Sequence, residues 1–285
     1  MSLFTTTMES VMPRQPKKVV TITQVKDQPC DNQRQAMSQL RRIKWGIEFR
    51  NDNQKIFWET IDKSDVTFCA GPAGCGKTYV AVYYALQKLA EKNNSIDGII
   101  ITKPLVEVGG EKLGHLPGDV DEKTAPFMQS FYYNMEQIIG KRRMEVLCHS
   151  GVIKVIPLAY MRGITLTDKI VILDESQNAQ PGQLKTFLTR IGHGSKFVVT
   201  GDLMQSDIKT QNGLDDAVRR LSGVNGLGLC QFELKDVVRH QIVSEIIDRY
   251  EHDFYLGDVS AEETISRYVK KYITGKSNEV WTNIQ

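Results

Sequence analysis

The run Gly71-Pro-Ala-Gly-Cys-Gly-Lys77-Thr78 constrains this chain more than any other feature. Its spacing is G-x-x-x-x-G-K-[ST]. Glycines let a backbone curl so that its N–H groups converge on phosphate oxygens. A following helix N-terminus adds partial positive charge at the same point. Such a loop needs a buried strand before it and a helix after it, and both flanks are present. Residues 65–70 (DVTFCA) form a short apolar run, and residues 77–91 carry Val80, Val82, Tyr83, Leu86 and Leu89 at helical spacing. The expected ligand is ATP with Mg²⁺. It would be held by Gly71, Pro72, Ala73, Gly74, Cys75, Gly76, Lys77, Thr78 and Tyr79, with Lys77 on the β and γ phosphates and the Thr78 hydroxyl on the metal. A chance match in a glycine-rich turn is the plain competing reading.

The remaining apolar runs point the same way. Residues 99–102 (IIIT), 152–156, 170–173 (IVIL) and 197–200 (FVVT) are nearly continuous and stand between helical segments. That pattern belongs to parallel sheets covered on both faces. The expected fold is α/β, a P-loop NTPase (RecA-like) with a mostly parallel sheet and helices on both faces. Residues 46–253 would form that domain, its core clearest from Asn51 onward. Residues 1–45 read as an extension, with a loop at 13–18, a strand-like alternation at 19–25, and a helical stretch DNQRQAMSQLRRIKW that Asp31 could cap. Residues 254–285 read as a C-terminal helix or tail.

A second chemical signal closes the 170–173 run: Asp174 and Glu175 follow it directly. This is the Walker B arrangement, in which the first carboxylate holds Mg²⁺ and the second orients and deprotonates the attacking water. The 197–200 run leads into Gly201-Asp202-Leu-Met-Gln205. Gln205 could sense the γ-phosphate with Asp202 ordering it, or the segment could be a tight turn capped by Asp202. Cys75 sits at a helix N-terminus, which lowers thiol pKa. An ATP-protected reactive thiol and an inert small filler are both open there.

Composition excludes more than it proves. Hydrophobic residues make up 41% and charged residues 25%, and no segment is an uncharged apolar stretch of membrane-spanning length. The start, MSLFTTTMES, lacks a secretory pattern, so a cytoplasmic protein with no membrane partner is expected. Five cysteines without a C-x-x-C pair, and an isolated Cys148-His149, indicate neither a disulfide framework nor a zinc site. Net charge is only +2, yet basic residues cluster at Arg41, Arg42 and Lys44, at Lys141, Arg142 and Arg143, and at Lys270 and Lys271. Solvated surface is the ordinary reading of such clusters.

Three longer strings carry a family resemblance: ITKPLVEVGGEKLGHLPGDVDEK at 101–123, the stretch 157–208 that includes VILDESQNAQPGQLKTFLTRIGHGSKFVVTGDLMQSDI, and KDVVRH at 235–240. Across residues 51–252 the chain resembles the PhoH family of P-loop ATPases, found in bacteria and phages, named from phosphate starvation, and similar to the ATPase core of superfamily-one RNA and DNA helicases. The resemblance implies that Gln54 reads the adenine edge, that Gln205 is a γ-phosphate sensor, and that Arg239 contacts the γ-phosphate. Arg162 and Arg190 match family positions as well. Lys103 stands where family members usually have arginine, which leaves no bidentate guanidinium at that position, and Cys75 replaces a more usual small or polar residue.

These features imply Mg²⁺-dependent ATP hydrolysis coupled to single-stranded RNA or DNA. An ATP-dependent regulatory or scaffolding role is the alternative, and a small-molecule kinase a weaker one. The expected catalytic set is Glu175, Lys77, Gln205 and Arg239, with Thr78 and Asp174 at the metal. A single P-loop domain would take its completing arginine from a neighbour, so a homo-oligomeric ring is expected, with a hexamer as one form it could take.

Overall fold

Every apolar run of the sequence becomes a strand of one sheet. The computed structural model describes residues 31–104, 120–203 and 212–238, with positions 242, 245, 246 and 249. The expected strand at 19–25, most of the 101–123 string, Gln205, Arg239 and the 254–285 tail lie outside the described residues. In chain order the elements are α1 (Asp31–Leu40), α2 (Asp52–Lys63), β1 (Val66–Ala70), α3 (Lys77–Ala90), β2 (Gly98–Thr102), α4 (Val120–Ile139), α5 (Lys141–His149), β3 (Ile153–Val155), β4 (Lys169–Leu173), α6 (Pro181–Leu188), β5 (Lys196–Gly201), α7 (Gly213–Leu221) and β6 (Leu227–Gln231). The sheet order is β3-β2-β4-β5-β1-β6, and each described pairing is parallel. The expected doubly covered α/β sheet is therefore present, and among the described residues it is wholly parallel.

The strands read as unbroken apolar runs because both their faces are buried. Ile170, Ile172 and Val198 join Leu40, Phe57, Val82, Phe131 and Leu147 from α1 to α5 on one side. Val171, Leu173, Phe197 and Val199 join Leu184, Phe187 and Leu214 from α6 and α7 on the other. Each such side chain withdrawn from water contributes about 1.5–3 kcal/mol, so neither face can be left open.

One expected helix packs differently from its reading, and one strand went unread. Helix α1 comes from the segment read as an extension, yet Ala36 and Leu40 are fully buried in the main core; Asp31 is its first helical residue rather than its cap. Strand β6 went unread because LGLCQ is an edge strand with only partial burial, which leaves no continuous apolar run. Its register against β1 nevertheless matters for the site, since Phe232 follows it directly.

Candidate active site

Parallel order puts the C-terminal ends of β1, β4 and β5 side by side, where open α/β sheets hold ligands. The loop after β1 is held by backbone on several sides. Gly71 N–H donates to Gly201 O at 3.1 Å, Val238 N–H to Gly74 O at 3.0 Å, and Phe232 N–H to Ala70 O at 2.8 Å. All three of its glycines lie at positive φ, and at two of them space excludes a side chain as well. Gly71 has φ +155, and a Cβ there would stand 2.5 Å from Phe232 Cβ; Gly76 has φ +87, and a Cβ there would stand 2.7 Å from Gln54 Nε2.

Gln54 explains the second constraint. Asn51 caps α2 through the Gln54 N–H. The Gln54 side chain then accepts from Arg50 N at 2.9 Å and donates to Cys75 O at 3.0 Å. It is buried and braces the loop from behind; its amide oxygen and nitrogen both bond backbone groups, and it does not line the cavity described below.

At the mouth of α3, Lys77 Nζ donates to the carbonyls of Gly71 at 2.6 Å and Pro72 at 2.8 Å. Cys75 departs from the reactive-thiol expectation. Its side chain is fully buried and its thiol donates to Pro72 O at 3.0 Å. Burial pushes the Cys75 thiol up, and the pull of Lys77 in the other direction does not overcome it. The helix-terminus effect assumed a thiol open to water, and this one is not.

The acidic pair sits where β4 ends, one strand away from β1, with β5 between them. Thr78 Oγ1 donates to Asp174 Oδ2 at 2.6 Å, and Thr200 Oγ1, from β5, donates to Asp174 Oδ1 at 2.5 Å. The buried Asp174 carboxylate is thus gripped by one hydroxyl on each oxygen. Thr200 lay inside an apolar run and was read only as strand; its one signal was a hydroxyl in FVVT.

Glu175 has φ 53 and ψ 37, the left-handed region. A non-glycine residue held there is strained by about 1–2 kcal/mol, and such strain concentrates at functional sites. Burial, then the Asp174 charge, raise the Glu175 carboxyl above the ordinary range, while Gln177, Lys103 and Lys77 pull it down. Gln177, a residue the sequence did not single out, donates to Glu175 Oε2 at 2.7 Å and accepts the Asp202 N–H at 3.0 Å. It therefore orients the carboxylate and ties it to the end of β5.

These groups open on a cavity of about 580 Å³, within the usual range for small-molecule sites. Ala73, Gly74, Gly76, Lys77, Thr78 and Tyr79 form one wall, and Asp174, Glu175, Gly201 and Asp202 another. Gly71, Pro72 and Cys75 belong to the loop but do not line the cavity. A third wall, Gln129, Ser130, Tyr133 and Asn134 of α4, had no sequence signal, because nothing local links it to a loop some fifty residues upstream. Arg162 is exposed on the turn after Met161, and Arg190 donates to Thr186 O and Thr189 Oγ1. Neither lines the cavity.

A glycine-locked loop between strand and helix, with a gripped carboxylate across one intervening strand, defines a P-loop nucleotide-binding domain of the doubly wound α/β type. The chain belongs to the PhoH-like protein family, whose profile matches residues 46–251. It is 45% identical over 207 residues to a PhoH-like protein of Synechocystis sp., covering 72% of this chain and 62% of the relative. It is 44% identical to one of Bacillus subtilis, covering 72% and 64%, and 35% identical to protein PhoH of Escherichia coli, covering 70% and 57%. The chain thus spans less than two thirds of the length of these relatives. Similar solved structures include the large terminase of a thermophilic bacteriophage in complex with ADP, at TM-score 0.40 and 12% identity over 80% of this chain and 50% of that one. Another is Bacteroides sp. Pif1 with ADP-AlF4, at TM-score 0.36 and 13% identity over 76% and 48%. No helix among the described residues is long and apolar enough to cross a membrane.

Proposed function

We propose that this chain binds ATP with Mg²⁺ and hydrolyses it, and that a single-stranded RNA or DNA stimulates the turnover. One observation carries the reading: Thr78 and Thr200 grip Asp174 from both sides at the cavity that also receives Lys77 and Glu175. The donor set fits Mg²⁺. It is all oxygen, a hydroxyl and a carboxylate 2.6 Å apart, and Mg²⁺ takes one or two protein oxygens beside substrate phosphates and water. When bound, the ion would offset charge on the β and γ phosphates.

The chain's own groups supply the rest. Lys77 turns from the Gly71 and Pro72 carbonyls to the phosphates. Glu175 accepts the proton of the attacking water as its oxygen bonds phosphorus and the bond to the ADP oxygen breaks. A raised carboxyl pKa suits a general base, since basicity rises with it. Gln177 holds that carboxylate in line. Charge on the transferring group calls for one more cation, and an arginine there is worth about 10³–10⁵ in rate. Arg239, the residue after the cavity-lining Val238, is the proposed source, supplied within a homo-oligomeric ring of which a hexamer is one form. Gln205 is the proposed γ-phosphate sensor.

Phosphate release measured with and without single-stranded RNA and DNA tests the reading. Stimulation by either polymer supports it. A rate that neither polymer changes leaves the ATP-dependent regulatory or scaffolding role. Mixing Arg239→Ala with Lys77→Ala subunits locates the arginine: recovered activity means it crosses a subunit interface, and none means it serves its own site.

A further inference from the structure

Two of the three basic clusters of the sequence meet in the fold, the first of them through Arg42. Gln39 and Arg42, at the end of α1, face Gly140, Lys141, Arg142 and Arg143, where α4 gives way to α5, across a hollow of about 480 Å³. Four exposed cationic side chains therefore border one concavity. None of the four forms an ion pair with a described residue. Arg143 is anchored, donating from Nη1 to Ile139 O at 3.0 Å. A chain whose net charge is only +2 has concentrated unpaired positive charge in one hollow.

Local electrostatics favour an anion in that hollow. Like charges repel across it. Helix α5 also begins with three consecutive cations, has no acidic residue in its first turn, and is capped by Gly140 without a side-chain hydrogen bond. Cations at a helix N-terminus oppose its dipole. A phosphate seated among the four side chains relieves both effects.

The hollow's shape and position select among phosphate-bearing partners. Its one apolar lining residue, Ile139, is 2% exposed, so nothing apolar stands out to enter a bilayer. Tyr133 and Asn134 of α4 line the nucleotide cavity. Ile139 lies six residues beyond Tyr133 on that helix, about 9 Å at about 1.5 Å per residue. A ligand in the hollow and a nucleotide in the cavity thus touch one rigid element.

We infer that this hollow binds the phosphodiester backbone of a single-stranded nucleic acid through Arg42, Lys141, Arg142 and Arg143, without reading its bases. The inference rests on the nucleic-acid reading above and gives it a surface. Labelled oligouridylate and oligothymidylate, titrated with the full chain over a range of salt concentrations and read by anisotropy, test it. Each single-strand phosphate contact contributes about 0.7 to the slope of log K against log salt. Arg42→Ala/Arg142→Ala is expected to flatten the slope by about 1.4 for both polymers alike, while Arg42→Lys/Arg142→Lys keeps it. ATP hydrolysis without polymer stays at the parent rate in both, which certifies the fold. Parent protein that binds the polymers, with the alanine variant showing the same affinity and slope, overturns the site alone. Parent protein that binds neither polymer at low salt overturns the nucleic-acid reading with it. Loss of phosphatidylserine vesicle binding in the alanine variant, with polymer binding intact, also overturns it in favour of a membrane surface.

Discussion

Thr200→Val isolates the one contact that most distinguishes this site from a bare P-loop. The Thr200 hydroxyl is fully buried and donates to Asp174 Oδ1 at 2.5 Å, while Thr78 serves Oδ2. Valine keeps the branched shape and strand preference but offers a methyl in place of the donor. A buried hydrogen bond to a charged group is worth about 1.5–3 kcal/mol, and the cost includes leaving the acceptor unpaired. For a domain of this size each kcal/mol lowers Tm by about 2–4 °C, so a fall of about 3–12 °C is expected by thermal melting. The same change frees one carboxylate oxygen to rotate. Loss of a group that orients a metal ligand costs about 10–100-fold in metal affinity or activity, so the Mg²⁺ concentration for half-maximal ATP hydrolysis should rise by that factor. Thr200→Ser retains the donor and should stay near the parent on both measures. A valine variant with parental Tm and parental Mg²⁺ dependence would show that the grip on Asp174 contributes nothing.

Four further residues test the same geometry. Lys77→Ala should abolish nucleotide binding, measured by calorimetry with ADP and ATP; binding at parental affinity would defeat the phosphate assignment. Glu175→Gln should bind ATP normally but release phosphate about 10²–10⁴-fold more slowly. Because the folded Glu175 carboxyl lies above its ordinary value, the folded state keeps a proton that the unfolded chain has lost. Stability is therefore lost as pH rises above about 4.3, and the Gln variant should gain in Tm over the parent across that rise; a gap independent of pH contradicts it. Gly76→Ala places a Cβ 2.7 Å from Gln54 Nε2 at φ +87, so it should lower Tm and weaken ATP binding together, and parental behaviour on both would refute the bracing role of Gln54. Cys75 is fully buried with a raised pKa, so mass spectrometry should find it slow to alkylate whether or not ATP is present; rapid labelling that ATP blocks would restore the reactive-thiol expectation.

What was legible in the sequence is what local order determines. The phosphate loop is consecutive in the chain, its glycines answer local backbone demands, and the strand before it and helix after it follow from apolar spacing. Asp174 and Glu175 were legible for the same reason, since a buried strand ending in two carboxylates is a pattern of adjacent residues. The burial of both sheet faces shows as unbroken apolar runs, so the parallel α/β fold could be expected without knowing the strand order. Tertiary structure alone decided what touches those groups. Thr200 reaches Asp174 only because β5 lies between β1 and β4, and register across a sheet leaves no local trace beyond a hydroxyl in an apolar run. Gln177 faces Glu175 because a left-handed residue turns the chain there, and α4 walls the cavity through long-range packing. Cys75 left two readings open in the sequence, and its burial favours the inert filler over the reactive thiol: position on a helix is local, but burial is a property of everything packed around it. The two basic clusters were visible as charge, and only the meeting of α1 with α5 made them one surface.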